Sequence, residues 1–121
     1  LRITDIALPT LDDDTQLFGV KDATTCAEHL HDLGVKEVVV KMGKRGCMVS
    51  SHRHCKLIAT TPQKAIDTTG AGDSFNAAYL AKRLGSKKPQ DAATFANDLA
   101  RNVIMHPGAV IPRTAMPDGR P

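Results

Sequence analysis

Aromatic side chains are scarce in this chain of 121 residues, which has no tryptophan, one tyrosine (Tyr79) and three phenylalanines (Phe18, Phe75 and Phe95). The core must therefore rest on Val, Leu, Ile and Ala. Long apolar runs are missing as well. None approaches the roughly 20 residues needed to cross a bilayer, nor does a secretory leader open the sequence, so no membrane partner is expected. The three cysteines, Cys26, Cys47 and Cys55, lack paired spacing, and their odd number argues against a disulfide framework. Reduced thiols in a cytoplasmic setting fit better. Charge of one sign is also lacking: 16 basic and 13 acidic residues leave a formal net charge of +3. Lys82, Arg83, Lys87 and Lys88 form a local basic cluster without interleaved aromatics. That is the pattern of a solvated helix end, and no nucleic-acid partner is expected. The chain opens on Leu1-Arg2-Ile3 without an initiator Met, which predicts a fragment or a processed piece.

What is present is a 41% apolar composition, enough to bury a core, with no shift that would mark a second domain. A short strand is expected within residues 3–11. Asp12, Asp13 and Asp14 suit a solvated helix start. Asp22 is a candidate N-cap for a helix carrying Ala23, Cys26, Ala27, Leu30 and Leu33 at helical spacing, with Gly34 as its stop. His29 and His31 are expected at the surface beside that stripe. Residues 35–41, with Val38-Val39-Val40, read as a buried strand of parallel type. The turn Gly43-Lys44-Arg45-Gly46 leads to a returning strand at Cys47-Met48-Val49, where Cys47 reads as a buried structural thiol. A polar turn over residues 50–54 precedes a strand over residues 55–59. His52, His54 and Cys55 crowd that turn, but they lack a second ligand pair and read as solvated rather than zinc-binding.

Residues 60–66 form an extended connection. A helix is expected from about Asp73 to Leu84, with Phe75, Ala78, Tyr79 and Lys82 on one face and Gly85 as its stop. Pro89 suits a first helical turn, and Ala92, Ala93, Ala96, Leu99, Ala100 and Val103 give the last helix its apolar stripe. His106-Pro107-Gly108 should end it. The tail over residues 107–121, with four prolines, should lie extended. The fold class is α/β: strand, helix, strand, hairpin, then two helices.

Chemistry concentrates at Gly70-Ala71-Gly72-Asp73. Glycines let backbone N–H groups converge on one point, and a helix N-terminus adds partial positive charge, which makes an anion site. Phosphate is the expected anion, although neither the GxxxxGK[ST] nor the GxGxxG pattern is present. A carboxylate there has one of two roles: Asp73 caps its helix, or it accepts a proton from a hydroxyl that attacks phosphorus. The tetrapeptide alone favours neither.

The full string Asp67-Thr68-Thr69-Gly70-Ala71-Gly72-Asp73-Ser74-Phe75 closely resembles the second signature of the ribokinase (PfkB) family of carbohydrate kinases. The resemblance implies the C-terminal part of a three-layer ribokinase-like fold, with a central sheet, flanking helices and a β-hairpin. Residues 1–121 would then be the nucleotide-binding and catalytic part of a single domain whose N-terminal half and lid are absent. It implies Asp73 as catalytic base in contact with the sugar, and the Gly70, Ala71 and Gly72 amides as an anion hole. Residues 39–46 are similar to the family's strand and glycine turn beside the nucleotide, which implies ATP contacts from Lys41, Gly43 and Gly46. Read alone, that segment is any β-hairpin. Asn97 resembles a position near the adenine, whereas an Asn met on a helix is by itself a solvated residue. Asp67, Thr69, Val103, His106 and Gly108 align with a monovalent-cation site of relatives, implying K+, while Pro112 stands where some relatives supply a Ser oxygen. Mg2+ in this family is held mainly by phosphates and water.

The opening residues 5–18 and the ending at residues 103–117 are similar to the 2-keto-3-deoxygluconate kinases of that family. The resemblance implies transfer of the ATP γ-phosphate to the C6 hydroxyl of 2-dehydro-3-deoxy-D-gluconate, a sugar acid, in a full-length enzyme. A homo-oligomer is left open for that enzyme, because the lid that commonly pairs subunits in the family is absent from these residues. Fructokinase or another ribokinase-like kinase is the nearest alternative. A nucleotide-binding fragment without catalysis is the alternative of another class, and these 121 residues alone are expected to be inactive.

Overall fold

The computed structural model describes residues 5–11, 22–51, 54–60 and 70–105. Two compact units divide the chain, Leu1–Ala59 and Thr60–Pro121. No helix among the described residues is long and apolar enough to cross a membrane.

The first unit begins with the short strand β1 (Ile6–Ala7) and the helix α1 (Ala23–Asp32). Asp22 is extended at the N-cap, and its side chain accepts a hydrogen bond from the Thr25 N–H at 2.7 Å. One of the donors left open at a helix start is thereby satisfied. This bond, first among its causes, holds the Asp22 carboxyl below its ordinary value. After α1 the chain turns through Leu33 and Gly34 into β2 (Glu37–Lys41). A 3₁₀ turn at Gly43–Arg45 leads to β3 (Cys47–Ser51), and β4 (His54–Ile58) completes a four-stranded sheet in the order β1-β2-β3-β4. β1 pairs with β2 in parallel, whereas β2–β3 and β3–β4 are antiparallel.

Strand alternation sorts the side chains. Val38, Val40 and Met48 join Ala23, Cys26, Ala27 and Leu30 of α1 in one core, together with Leu11 and Val35. Val39, Cys47 and Val49 lie on the opposite face of the sheet and are also buried. β-Branched residues suit this pleated, doubly buried position, and each fully buried Val contributes roughly 1.5–3 kcal/mol through removal of apolar surface from water.

Two expectations are corrected in this unit. Ser50, Ser51 and His54 are not turn residues but strand partners, with Ser50 opposite Cys55 and Ser51 opposite His54. Nor is His31 a surface residue flanking the apolar stripe. It is half-buried, with Nδ1 2.7 Å from the Val35 carbonyl oxygen and Nε2 2.8 Å from Ser50 Oγ, so it ties the end of α1 to β3.

The second unit contains α2 (Ala71–Leu84) and α3 (Pro89–Val103), packed against each other. α2 starts two residues before Asp73, and Gly85 closes it as its C-cap. Pro89 occupies the first turn of α3, where its missing N–H costs nothing. Phe75, Ala78 and Tyr79 of α2 are buried, as are Ala92, Ala93, Ala96, Leu99 and Val103 of α3. Alanines at these positions let the two backbones approach closely. Phe75 and Tyr79 stack with ring centroids 6.3 Å apart, and Lys82 places its Nζ 4.3 Å from the centre of the Phe95 ring.

Candidate phosphate-binding and catalytic site

The start of α2 is built by Gly70. This residue is the N-cap at φ 78° and ψ 1°, a left-handed conformation that a Cβ would disfavour by about 1–2 kcal/mol. No side chain caps the helix there. The Ser74 N–H donates to the Gly70 carbonyl at 2.9 Å, which closes the first helical turn. The N–H groups of Ala71, Gly72 and Asp73 precede that bond, where a helix leaves its donors open. Gly72 is exposed and adds no side chain beside them. An anion approaching this end meets convergent donors and the positive end of the helix dipole. The residues present therefore fit a phosphate group.

Asp73 stands in the first turn of α2 and is exposed. It is not the N-cap, because Gly70 holds that position. Phe75 and Tyr79, buried further along the same helix, anchor the element that carries the carboxylate. Asn97, on α3, is 7% exposed. Its burial removes the plain reading of a solvated helical Asn.

Lys41, Gly43 and Gly46 gather at the β2–β3 connection of the first unit. Lys41 is half-buried and extends the parallel pairing by donating its backbone N–H to the Pro9 carbonyl at 2.8 Å. Gly43 has φ +57° with open space where a Cβ would point, and Gly46 is buried at φ 89°, ψ −132°. The Met42 N–H donates to the Gly46 carbonyl at 2.8 Å, which closes the turn. Asp67, Thr69, His106, Gly108 and Pro112, the other proposed cation-site positions besides the buried Val103, lie outside the described residues. So does His52 of the crowded turn; its neighbours His54 and Cys55 are exposed on β4. No group of three His, Cys, Asp or Glu side chains gathers for a metal ion among the described residues.

The profile of pfkB family carbohydrate kinases matches residues 1–116. The chain belongs to the pfkB family of carbohydrate kinases. Among curated pfkB relatives, 2-dehydro-3-deoxygluconokinase of Escherichia coli K12 is 45% identical over an alignment covering 97% of this chain and 39% of the relative. The chain thus spans about two-fifths, 39%, of the length of the curated relatives it matches first. Among solved structures, fructokinase of Vibrio cholerae O395 with fructose, ADP and calcium ion bound superposes with a TM-score of 0.78 at 27% identity, covering 93% of this chain and 38% of that one. A ribokinase of Thermotoga maritima gives 0.76 at 30% identity, over 93% and 39%. The α/β fold expected from the order of elements is therefore that of ribokinase-like kinases.

Nothing in the sequence pattern singled out His31 or Ser50. Their contact depends on where α1 ends relative to the hairpin register, and no local spacing encodes that.

Proposed function

We infer that the protein carrying this chain transfers the γ-phosphate of ATP to the C6 hydroxyl of 2-dehydro-3-deoxy-D-gluconate. The observation that carries the reading is the open N-terminus of α2 behind the left-handed Gly70, with Asp73 in its first turn. Backbone donors from Gly70 to Asp73 would hold negative charge on the transferred phosphoryl group, where fixed dipoles are most effective. Asp73 would accept the C6 hydroxyl proton as that oxygen forms its bond to phosphorus, and the bond from phosphorus to the ADP oxygen breaks. The products are ADP, the 6-phosphate and the proton left on Asp73.

Gly43 and Gly46 would bring the backbone of their turn close to the nucleotide, with Lys41 at the end of β2 beside it and Asn97 near the adenine. Support comes from the V. cholerae fructokinase, solved with ADP bound. Mg2+, supplied with ATP, would neutralise charge on the phosphates. Asp67, Thr69 and Gly108 would hold a monovalent cation such as K+; a double mutant of the V. cholerae fructokinase has been solved with potassium ion. All of residues 1–121 would belong to one catalytic domain, completed by sequence that supplies the sugar contacts. The 121 residues alone would not turn over substrate.

The sugar acid is favoured because three curated 2-dehydro-3-deoxygluconokinases are 45%, 44% and 43% identical to this chain, against 31% for a ribokinase of Haemophilus influenzae. Coupled detection of ADP with the full-length protein tests the choice. The reading requires a kcat/KM for 2-dehydro-3-deoxy-D-gluconate well above that for fructose or ribose, with phosphate on C6 by ³¹P NMR. A preference for fructose would overturn it.

A further inference from the structure

Three side chains that phosphoryl transfer does not use form a directed row on the α1 side of the hairpin. The Cys55 thiol donates to Ser50 Oγ at 3.3 Å, and Ser50 Oγ lies 2.8 Å from His31 Nε2. His31 Nδ1 lies 2.7 Å from the Val35 carbonyl oxygen. A carbonyl oxygen only accepts, so Nδ1 carries a proton; Nε2 of the neutral ring then accepts, and the Ser50 hydroxyl donates to it. The row runs from thiol to hydroxyl to imidazole and ends on a base oriented by the backbone.

Three elements fix this arrangement. Ser50 and Cys55 are register partners across β3 and β4, and His31 reaches over from the last turn of α1. Ser50 and Val35 are each 3% exposed, whereas Cys55 is open to solvent on the outer strand. The interior of the row is shielded and its reactive end is accessible. Cys26 and Cys47 are both 0% exposed and have no such access.

We propose that Cys55 is a thiol-modification site that exchanges with small disulfides, with Ser50 and His31 taking up its proton. When the Cys55 proton passes to Ser50 and the Ser50 proton passes to His31 Nε2, all three hydrogen bonds survive; the two made by Ser50 reverse direction, and Nδ1–H still donates to the Val35 carbonyl. His31 Nε2–H now donates to Ser50 Oγ, and the Ser50 hydroxyl donates to the thiolate. The sulfur gains a donor as it gains charge, and no group in the row is left unpaired. The thiolate attacks one sulfur of the disulfide, forming a new S–S bond at Cys55 while the old S–S bond breaks. The electron pair leaves on the departing sulfur, which recovers the proton from His31 through solvent. The disulfide is the oxidant, so the exchange balances without another reagent.

A purely structural buckle between α1 and β3 would keep the same hydrogen bonds without affecting reactivity, and rates separate the two roles. The full-length protein is incubated with glutathione disulfide at neutral pH, and the adduct is located by peptide mass mapping. Cys55 should be modified while Cys26 and Cys47 are not, about ten-fold faster than N-acetylcysteine amide in the same buffer. Ser50→Ala should slow Cys55 by about ten-fold, and Ser50→Thr, which keeps the hydroxyl, should restore it to within about two-fold. A Cys55 rate no higher than that of the small thiol would overturn the proposal, as would an unchanged rate in a folded Ser50→Ala protein. The comparison with the small thiol uses the unaltered protein, so the proposal is decided even where Ser50→Ala does not fold.

Discussion

Replacing the two glycines of the β2–β3 turn by alanine should cost unequal amounts of stability, and at Gly43 should weaken nucleotide binding while the fold is kept. At Gly43, φ is +57° and a Cβ would meet nothing within 4 Å, so the cost is conformational alone. A left-handed Ala costs about 1–2 kcal/mol, and its more restricted unfolded chain returns about 0.4–1 kcal/mol. Gly43→Ala should therefore lose about 1 kcal/mol or less. Gly46 has φ 89° and ψ −132°, outside the left-handed helical well and open to glycine. Alanine there costs about 3 kcal/mol, and after the same offset about 2 kcal/mol or more remains. With a urea dependence of about 2 kcal/mol per molar, the two midpoints should differ by roughly 0.5–1 M, read by circular dichroism. ATP binding by calorimetry supplies the second axis. Gly43→Ala, which keeps the fold, puts a methyl into the space proposed for the nucleotide and should weaken binding by about ten-fold, or about 1.4 kcal/mol. Equal midpoints for the two variants would refute the backbone argument; undiminished ATP affinity in Gly43→Ala would refute the nucleotide placement.

Two further outcomes follow from the same geometry. Asp22→Ala should lower stability at neutral pH by removing the acceptor for the Thr25 N–H. Because the folded-state carboxyl is depressed, this stabilisation is present above the unfolded value of about 3.9 and is lost as pH falls through the folded value. The gap between the two proteins in thermal melts should close on acidification, and a gap that persists at low pH would contradict the cap. Asn97→Leu keeps the buried position filled but removes the amide proposed near the adenine. It should raise the Kd for ATP about ten-fold while kcat at saturating ATP stays within about two-fold; unchanged affinity would remove Asn97 from the site.

The sequence was most legible where structure is decided locally. Asp22, Gly34, Gly85 and Pro89 mark helix ends because capping and backbone freedom act within a few residues, and all four stand at such ends. The valine run of β2 followed from β-branched residues set between turn signals, and the alanine stripe of α3 from periodicity. Pairing across the hairpin was less legible. Ser50, Ser51 and His54 are polar, and polarity reports solvent contact more readily than register. His31 was misread for the same reason, and the helical pattern alone did not reveal that Asn97 is buried: the burial of a polar side chain depends on tertiary neighbours that no spacing records. The start of α2 at Ala71 rather than Asp73 makes Asp73 a first-turn residue instead of the N-cap.

The central claim is that Asp73 takes the proton of the attacking hydroxyl, and steady-state kinetics of Asp73→Asn in the full-length protein test it most directly. Asparagine keeps the size and position of the side chain and removes the basic oxygen. The account predicts a fall in kcat of about 10²–10⁴-fold, with ATP binding unchanged or tighter now that a negative charge beside the phosphates is gone. Turnover equal to that of the unaltered protein would contradict it.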